Sequence, residues 1–569
     1  MRVDQKAEGP RQSMSWLHTW ASLILGWLLY AIFVTGTLSF FQNEISTWMK
    51  PETHQSIPAQ SQVQQMQVAL NYLQKNHPDA GSWNIQLPNS RQTTTEVTIR
   101  AVGEDPKARR GGTRITLDSA TGEVIEPRDT RGGGFLYRFH FELYGLPRLW
   151  TRWLVGIATM FMLVAIVSGI IAHKKIFKDF FTFRSGKGQR SWLDAHNATA
   201  VFALPFHLMI TFSGLLLLMF MFMPWGINQA YENRQQFLRD QQASMIEQPQ
   251  KAEDVPREGE RAARGERGQQ RGEHTEGRGE EHPKPELRPA PLTDLAPIMA
   301  AVQQQWKDNP IASINIISPN TDQAKIELRA LRAESVAHRN VYATLNYNGV
   351  TGQDETDKNI RIKNPSIPSA IYNVVTVLHE ARGLDLALRW LLFCSGILGT
   401  LMVATGLILW CLKRAPQQQK QGYKSFGFRL VEVLNITAII GLPLACAAYF
   451  YANRFIPADV EMRLNWEIRS FFTVWLLTLI YAIFRTHRQA WLDLLLLATL
   501  AFVLLPVVNL MTGGQALWNS IAQGQWMIAS VDLAMWVMAV IFYFAYDKVK
   551  KHQGLPNKKV KVAVQEAEA

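Results

Sequence analysis

The sequence predicts a polytopic α-helical membrane protein of about eight spans with two small external α+β domains. Three observations carry that prediction. Eight apolar runs are long enough to cross a bilayer, basic residues gather in alternate connections, and a helix–domain–helix unit occurs twice.

Of the 569 residues, 47% are apolar, yet the mean hydropathy is −0.07. The near-zero mean conceals long apolar runs alternating with very polar stretches. A helix rises ~1.5 Å per residue, so about 20 apolar residues cross roughly 30 Å of hydrocarbon. Such runs fall at 16–41, 149–172, 198–224, 386–412, 430–451, 469–485, 489–511 and 525–546. The first, with flanks 13–41, is too long and too closely followed by others for a cleaved signal peptide.

The net charge of +12 reports topology rather than a nucleic-acid partner. Lys and Arg concentrate in HKKIFKDFFTFRSGKGQR (173–190), LKRAPQQQKQGYKSFGFR (412–429), FRTHR (484–488) and DKVKKHQGLPNKKVKV (547–562). The positive-inside pattern then places the N-terminus, the connection 173–197 and the tail 547–569 in the cytoplasm. The long loops 42–148 and 225–385 fall outside, which in a bacterial inner membrane is the periplasm. Cys394, Cys411 and Cys446 all lie in predicted spans. With no CxxC or CxxCH, the sequence supports neither a disulfide scaffold nor covalently attached haem.

The repeat is direct. RWLVGIATMFMLVAIVSG (152–169) aligns with RWLLFCSGILGTLMVATG (389–406) at an offset of 237, and His18 and Thr35-Gly36 align with His196 and Ser213-Gly214 at an offset of 178. The small-residue pairs mark close helix approach. The external parts match as well. Amphipathic helices at 61–76 and 293–307 precede alternating strands, and each copy then turns on a Thr-Gly pair, in TRITLDSATGEVIE (113–126) and VYATLNYNGVTGQDE (341–355). A Gly-, Arg- and Glu-rich insert at 247–290 lacks the apolar residues to build a core. The 430–546 region supplies four further spans.

Six of the thirteen histidines sit at or near the first four spans: His18, His140, His173, His196, His207 and His379. Ionisable groups at such depth are costly and face a protein interior or a cofactor. No Asp or Glu lies in the midst of these four spans, which argues against a proton relay and for haem iron, held by two imidazoles. Two pairings are open. His196 and His207 are eleven residues, or about three turns, apart, so one helix could serve two stacked haems ~16 Å apart. Alternatively the repeat pairs His18 with His196 at one face and His140 with His379 at the other. His173 also fits a basic boundary, and His207 fits a carbonyl freed by Pro205.

The run SGIIAHKKIFKDFFTFRSGKGQRSWLDAHNATAVFALPFHLMITFSG (168–214), the LHTW at 17–20 and the two Thr-Gly hairpins resemble the PepSY-associated transmembrane proteins, also called iron-regulated membrane proteins. The resemblance covers about residues 13–415. It implies two periplasmic PepSY domains on a four-helix unit, two b haems held by the matching histidines, and reduction of ferric siderophores at the inner membrane. One electron converts Fe(III) to Fe(II), which hard-oxygen chelators hold less tightly. No GxGxxG follows a strand, so a quinol or a cytoplasmic reductase is the expected donor. Rival readings are a PepSY-type periplasmic binding or regulatory module on a membrane anchor, and a transporter, for which Glu432 and Asp532 of the last four spans are the available acids.

Overall fold

The computed structural model describes residues 9–58, 61–108, 111–173, 177, 184, 186–232, 234–247, 287–358 and 361–552. The polar insert expected at 247–290, most of the basic connection after residue 173 and the end of the tail lie outside the described residues. The chain forms two compact units.

The helical unit draws on residues 1–55, 127–218 and 386–569. It opens with α1 (Pro10–Ile24), α2 (Gly26–Ser39) and the short α3 (Gln42–Trp48), then α5 (Gly133–Glu142), α6 (Arg148–Ala172), α7 (Gln189–Phe202) and α8 (Leu204–Leu217). Its last part holds α14 (Leu386–Gln421), α15 (Phe426–Ile436), α16 (Leu442–Phe455), α17 (Arg463–Phe484), α18 (His487–Met511), α19 (Leu517–Ala522) and α20 (Trp526–Lys551). Among the described residues six helices are long and apolar enough to cross a membrane, or up to eight if each of two bent pairs is one span. The protein is a multi-pass membrane protein.

The spans expected at 13–41 and 198–224 are each a bent pair of helices; Pro205 marks the second bend in the sequence, and nothing marks the first. The axis turns by 64° between α1 and α2 and by 66° between α7 and α8. The breaks fall at Leu25 and Ala203, which the offset of 178 aligns. Pro205 lacks the N–H that would bond Val201, which accounts for the second break; at the first, Gly26 begins α2 directly against Leu407. The second helix also starts earlier than expected, so His196 lies inside α7 rather than in a loop. Helix α1 packs on α6 and α7 packs on α14.

The C-terminal helices pack behind α2. Asn435 accepts from the Trp27 indole at 2.8 Å, and Tyr30 donates to the Ile439 carbonyl at 3.2 Å. Between α15 and α16 a π-helical turn at Thr437–Gly441 frees a carbonyl, which the Trp475 indole satisfies at 2.9 Å.

The second unit draws on residues 56–126 and 219–385. Its helices are α4 (Gln62–Asn76), the short α9 (Met219–Phe222), α10 (Pro224–Asn228) and α11 (Arg234–Ala243), then α12 (Leu295–Trp306) and α13 (Ile367–Glu380). Its strands are β1 (Ser82–Gln86), β2 (Thr95–Arg100), β3 (Thr113–Leu117), β4 (Val124–Ile125), β5 (Ile246–Glu247), β6 (Ile311–Ile317), β7 (Lys325–Ala330), β8 (Thr344–Asn348) and β9 (Arg361–Ile362). The two expected α+β domains share one antiparallel sheet of order β4-β3-β2-β1-β6-β7-β8, while β5 and β9 form a separate ribbon. They join where β1 pairs β6, with Asn84 opposite Asn315. Met66, Leu70 and Leu73 of α4 and Ile298, Met299 and Val302 of α12 fill one core against Trp83, Ile85, Ile314 and Ile316.

The two Thr-Gly turns are built alike. The Asp118 carboxylate accepts from the amides of Ala120 and Thr121, and the Asn348 amide oxygen accepts from those of Val350 and Thr351. Gly122 and Gly352 take φ of +77° and +71°, a conformation that favours glycine. The second hairpin closes through the bridge Tyr347–Asp354, with the Asn348 amide donating to the Gln353 carbonyl at 2.9 Å and the Glu355 amide to the Asn346 carbonyl at 2.8 Å.

Candidate functional site

Three of the six predicted histidines rest in the same kind of seat. His18 of α1 lies over Gly169 of α6, and its Nδ1 meets the Ala165 carbonyl at 2.8 Å. His196 of α7 lies over Gly406 of α14, with Nδ1 2.9 Å from the Met402 carbonyl and 3.3 Å from Thr405 Oγ1. His140 of α5 lies over Gly36 of α2, with Nδ1 2.8 Å from the Ile32 carbonyl. In each case the carbonyl belongs to the residue four before the glycine.

The regularity has a local cause. In a helix that carbonyl already accepts from the glycine's own amide, but it keeps a second lone pair. Without a Cβ above it the oxygen is open to a neighbouring helix. A Cβ on Gly36 would stand 2.6 Å from the His140 ring, and Cβ atoms on Gly169 and Gly406 would stand 3.1 and 3.2 Å from those of His18 and His196. Three of the four small-residue pairs, those ending at Gly36, Gly169 and Gly406, are therefore imidazole seats. Because a carbonyl can only accept, Nδ1 carries the proton and Nε2 keeps its lone pair. A backbone acceptor behind a ring is also the usual way to orient a histidine ligand.

His18 and His196 converge. Their ring centroids are 6.3 Å apart, with the planes at 64°, and neither Nε2 forms a hydrogen bond among the described residues. Both line a cavity of about 1020 Å³ whose walls include Leu29, Met162, Leu204 and Val403. That is at the upper end of the ~300–1,000 Å³ of small-molecule and cofactor sites.

The other predicted residues sit differently. His173, at the C-terminal cap of α6, lines the same cavity. His207, also on its wall, is fully buried; Nε2 lies 3.3 Å from the Thr199 carbonyl and Nδ1 has no partner among the described residues. The bond to Thr199 crosses the break before Pro205, but the carbonyl that Pro205 leaves free is that of Val201, not the one His207 meets. His379 occupies the last turn of α13 in the sheet-bearing unit, beside Glu380, which pairs with Arg339 at 2.8 Å.

Residues 15–413 match the PepSY-associated TM region family. The chain belongs to that family. No curated protein matches it in sequence. Within this PepSY-associated chain the family segment ends just after α14's cavity-lining stretch, and the C-terminal helices lie beyond it. Among the described residues no three or more His, Cys, Asp or Glu side chains gather as a metal-binding group.

Sequence reasoning missed the glycine seats, the cations of the cavity and a polar cluster behind it. His54, outside the six histidines selected from the sequence, is fully buried. Its Nε2 bonds the Thr47 carbonyl at 3.0 Å and Nδ1 accepts from the Gln515 amide at 3.1 Å. Burial and the nearby Arg454 and Arg128 guanidinium groups push its pKa down to about 3. The repeat offers no clue to it, because His54 has no counterpart in the second copy.

Proposed function

We propose that the protein is a transmembrane b-type haem electron-transfer protein that reduces ferric siderophore in the periplasm, releasing Fe(II), and that it spans the bacterial inner membrane with its N-terminus in the cytoplasm. The observation that supports this most is the convergence of His18 and His196 on one cavity. Two imidazoles on opposite sides of one metal, at ~2.0 Å metal–nitrogen distance, set their centroids about 6 Å apart. The 6.3 Å between these rings fits that requirement, and the apolar walls fit a macrocycle.

His18 and His196 would hold the first haem. Their Nδ1 protons stay on backbone carbonyls, which fixes the rings and leaves Nε2 to the iron. His140, seated in the same manner, is the ligand assigned to a second haem. Bound haem supplies one-electron carriage at low potential, as bis-histidine ligation does. The aligned helix breaks, histidines and Thr-Gly turns support a duplicated helix–domain–helix unit with both large loops periplasmic. A quinol or a cytoplasmic reductase would deliver electrons at the basic face.

A reduced-minus-oxidised visible spectrum of the purified protein tests the reading. A b-type α-band is expected; its absence from protein purified under haem-replete conditions sinks the proposal.

A further inference from the structure

Among the described residues the cavity lining includes three cations, Arg11, Lys413 and Arg414, and no carboxylate. Some cations of this unit meet acids: Arg389 with Glu44 at 2.9 Å, Lys424 with Glu432 at 2.7 Å, Arg152 with Glu142 at 2.5 Å. Arg11, Lys413 and Arg414 form no ion pair among the described residues. Two of them are held in place nonetheless. Arg11 Nε donates to the Ala172 carbonyl at 2.7 Å, and the Arg414 guanidinium lies 4.0 Å from the Trp410 ring centroid. Arg11 also stands in the first turn of α1, where the helix dipole disfavours a cation, so helix stability does not explain it. Arg11 and Lys413 are exposed and Arg414 half-buried, and three positive charges lining one cavity favour an anion there.

We propose that Arg11, Lys413 and Arg414 form a carboxylate-binding rim that takes the two acid side chains of a haem seated between His18 and His196. The inference rests on the haem reading and adds orientation to it. The macrocycle's apolar edge faces Leu29, Met162 and Leu204, and its acid edge faces the rim. Paired carboxylates at this rim stay ionised, and the cations favour the reduced, less positive iron.

The test uses the full chain in detergent, stripped of haem and titrated with haem or with haem dimethyl ester, whose acids are blocked. The wild type should bind haem at least about tenfold more tightly than the ester, and R11Q/K413Q/R414Q should lose that preference while keeping the bis-imidazole spectrum. The midpoint potential of the variant should fall and become pH-dependent between about pH 5 and 8. K413Q alone, should the triple variant misfold, should show a smaller loss in the same direction. Equal preference for haem and ester in the wild type overturns the rim. So does a lost preference that phosphatidylglycerol restores, which would make these residues a lipid headgroup site. A wild type that takes up no haem ends the underlying reading instead.

Discussion

The two halves of the helical unit bury polar groups to opposite effect. Around α1, α6, α7 and α14, imidazoles are pinned at one nitrogen and leave the other without a partner beside a large cavity. Behind them, α16–α20 bury charges that hydrogen-bond to side chains and carbonyls of several elements. Arg463 and Glu467, 1% and 0% exposed, pair at 2.5 Å, and Glu467 also accepts from Asn453 at 2.8 Å and Thr130 at 2.7 Å. Arg454 bonds Asn509 at 2.6 Å and the Trp48 carbonyl, while Asp532 accepts from the Trp48 indole at 2.7 Å. Engaged charges fix helices in place, whereas a half-satisfied imidazole is poised for a ligand. Glu432 and Asp532, the acids a transporter would use, belong to the first kind: Lys424 holds one, Trp48 and Asn509 the other.

The comparison breaks most sharply at the histidines. His196→Ala and His18→Ala should each abolish the first haem, read as loss of about half the α-band of a two-haem protein, with little change in helix content. His207→Ala, which removes a ring bonded across a kink rather than one over a glycine, should leave the band in place. If His207→Ala removes a haem and His18→Ala does not, the His196–His207 pairing gains and the seat argument fails.

The second test falls on the packed half. Arg463→Met strands Glu467 in a fully buried site, which costs about 3–5 kcal/mol. Thermal unfolding in detergent should show that loss. The double variant Arg463→Met/Glu467→Leu should recover much of it, because well-packed apolar residues replace a buried pair at little cost. Haem content should not move in either.

How far the sequence foretold this depends on the range of the interaction. His18 and His196 were legible because the repeat aligns them, and the second bend because Pro205 marks it. The first bend at Leu25 carries no proline and was not legible. Small-residue pairs announced close helix approach, but Gly169 and Gly406 became imidazole seats only once α1 and α7 crossed them, a contact between residues some 150 to 210 positions apart. The two α+β segments were legible one by one. Their fusion through β1 and β6 was not, since Asn84 opposite Asn315 is a long-range pairing that alternation does not specify. Arg463 and Glu467 fall just before the span expected at 469–485, and local sequence names none of the partners that come from 128–133 and from α16.

The glycine seats give a graded third test. Gly36→Ala places a Cβ 2.6 Å from the His140 ring, closer than real contacts allow, while Gly406→Ala places one at 3.2 Å from His196. Gly36→Ala should therefore displace its histidine and deplete the haem His140 holds. Gly406→Ala should shift the ligand-field bands by a small amount and keep the haem. Equal effects from the two would show that the carbonyl four residues back, rather than the missing Cβ, controls the seat.

The smallest effect concerns pH, and it belongs to the packed half alone. His54 titrates near 3 in the folded chain and near 6.5 when unfolded. Between those values the unfolded state binds the extra proton, so stability is full above about pH 6.5 and falls as pH drops toward 3, by up to about 1.4 kcal/mol per pH unit. The proton would have to enter beside Arg454 and Arg128 and break the bond that Nδ1 accepts from Gln515. His54→Gln should flatten this dependence in thermal scans between pH 7 and 5, at the cost of a lower midpoint at pH 7. A slope unchanged in the variant would assign the acid sensitivity to another group.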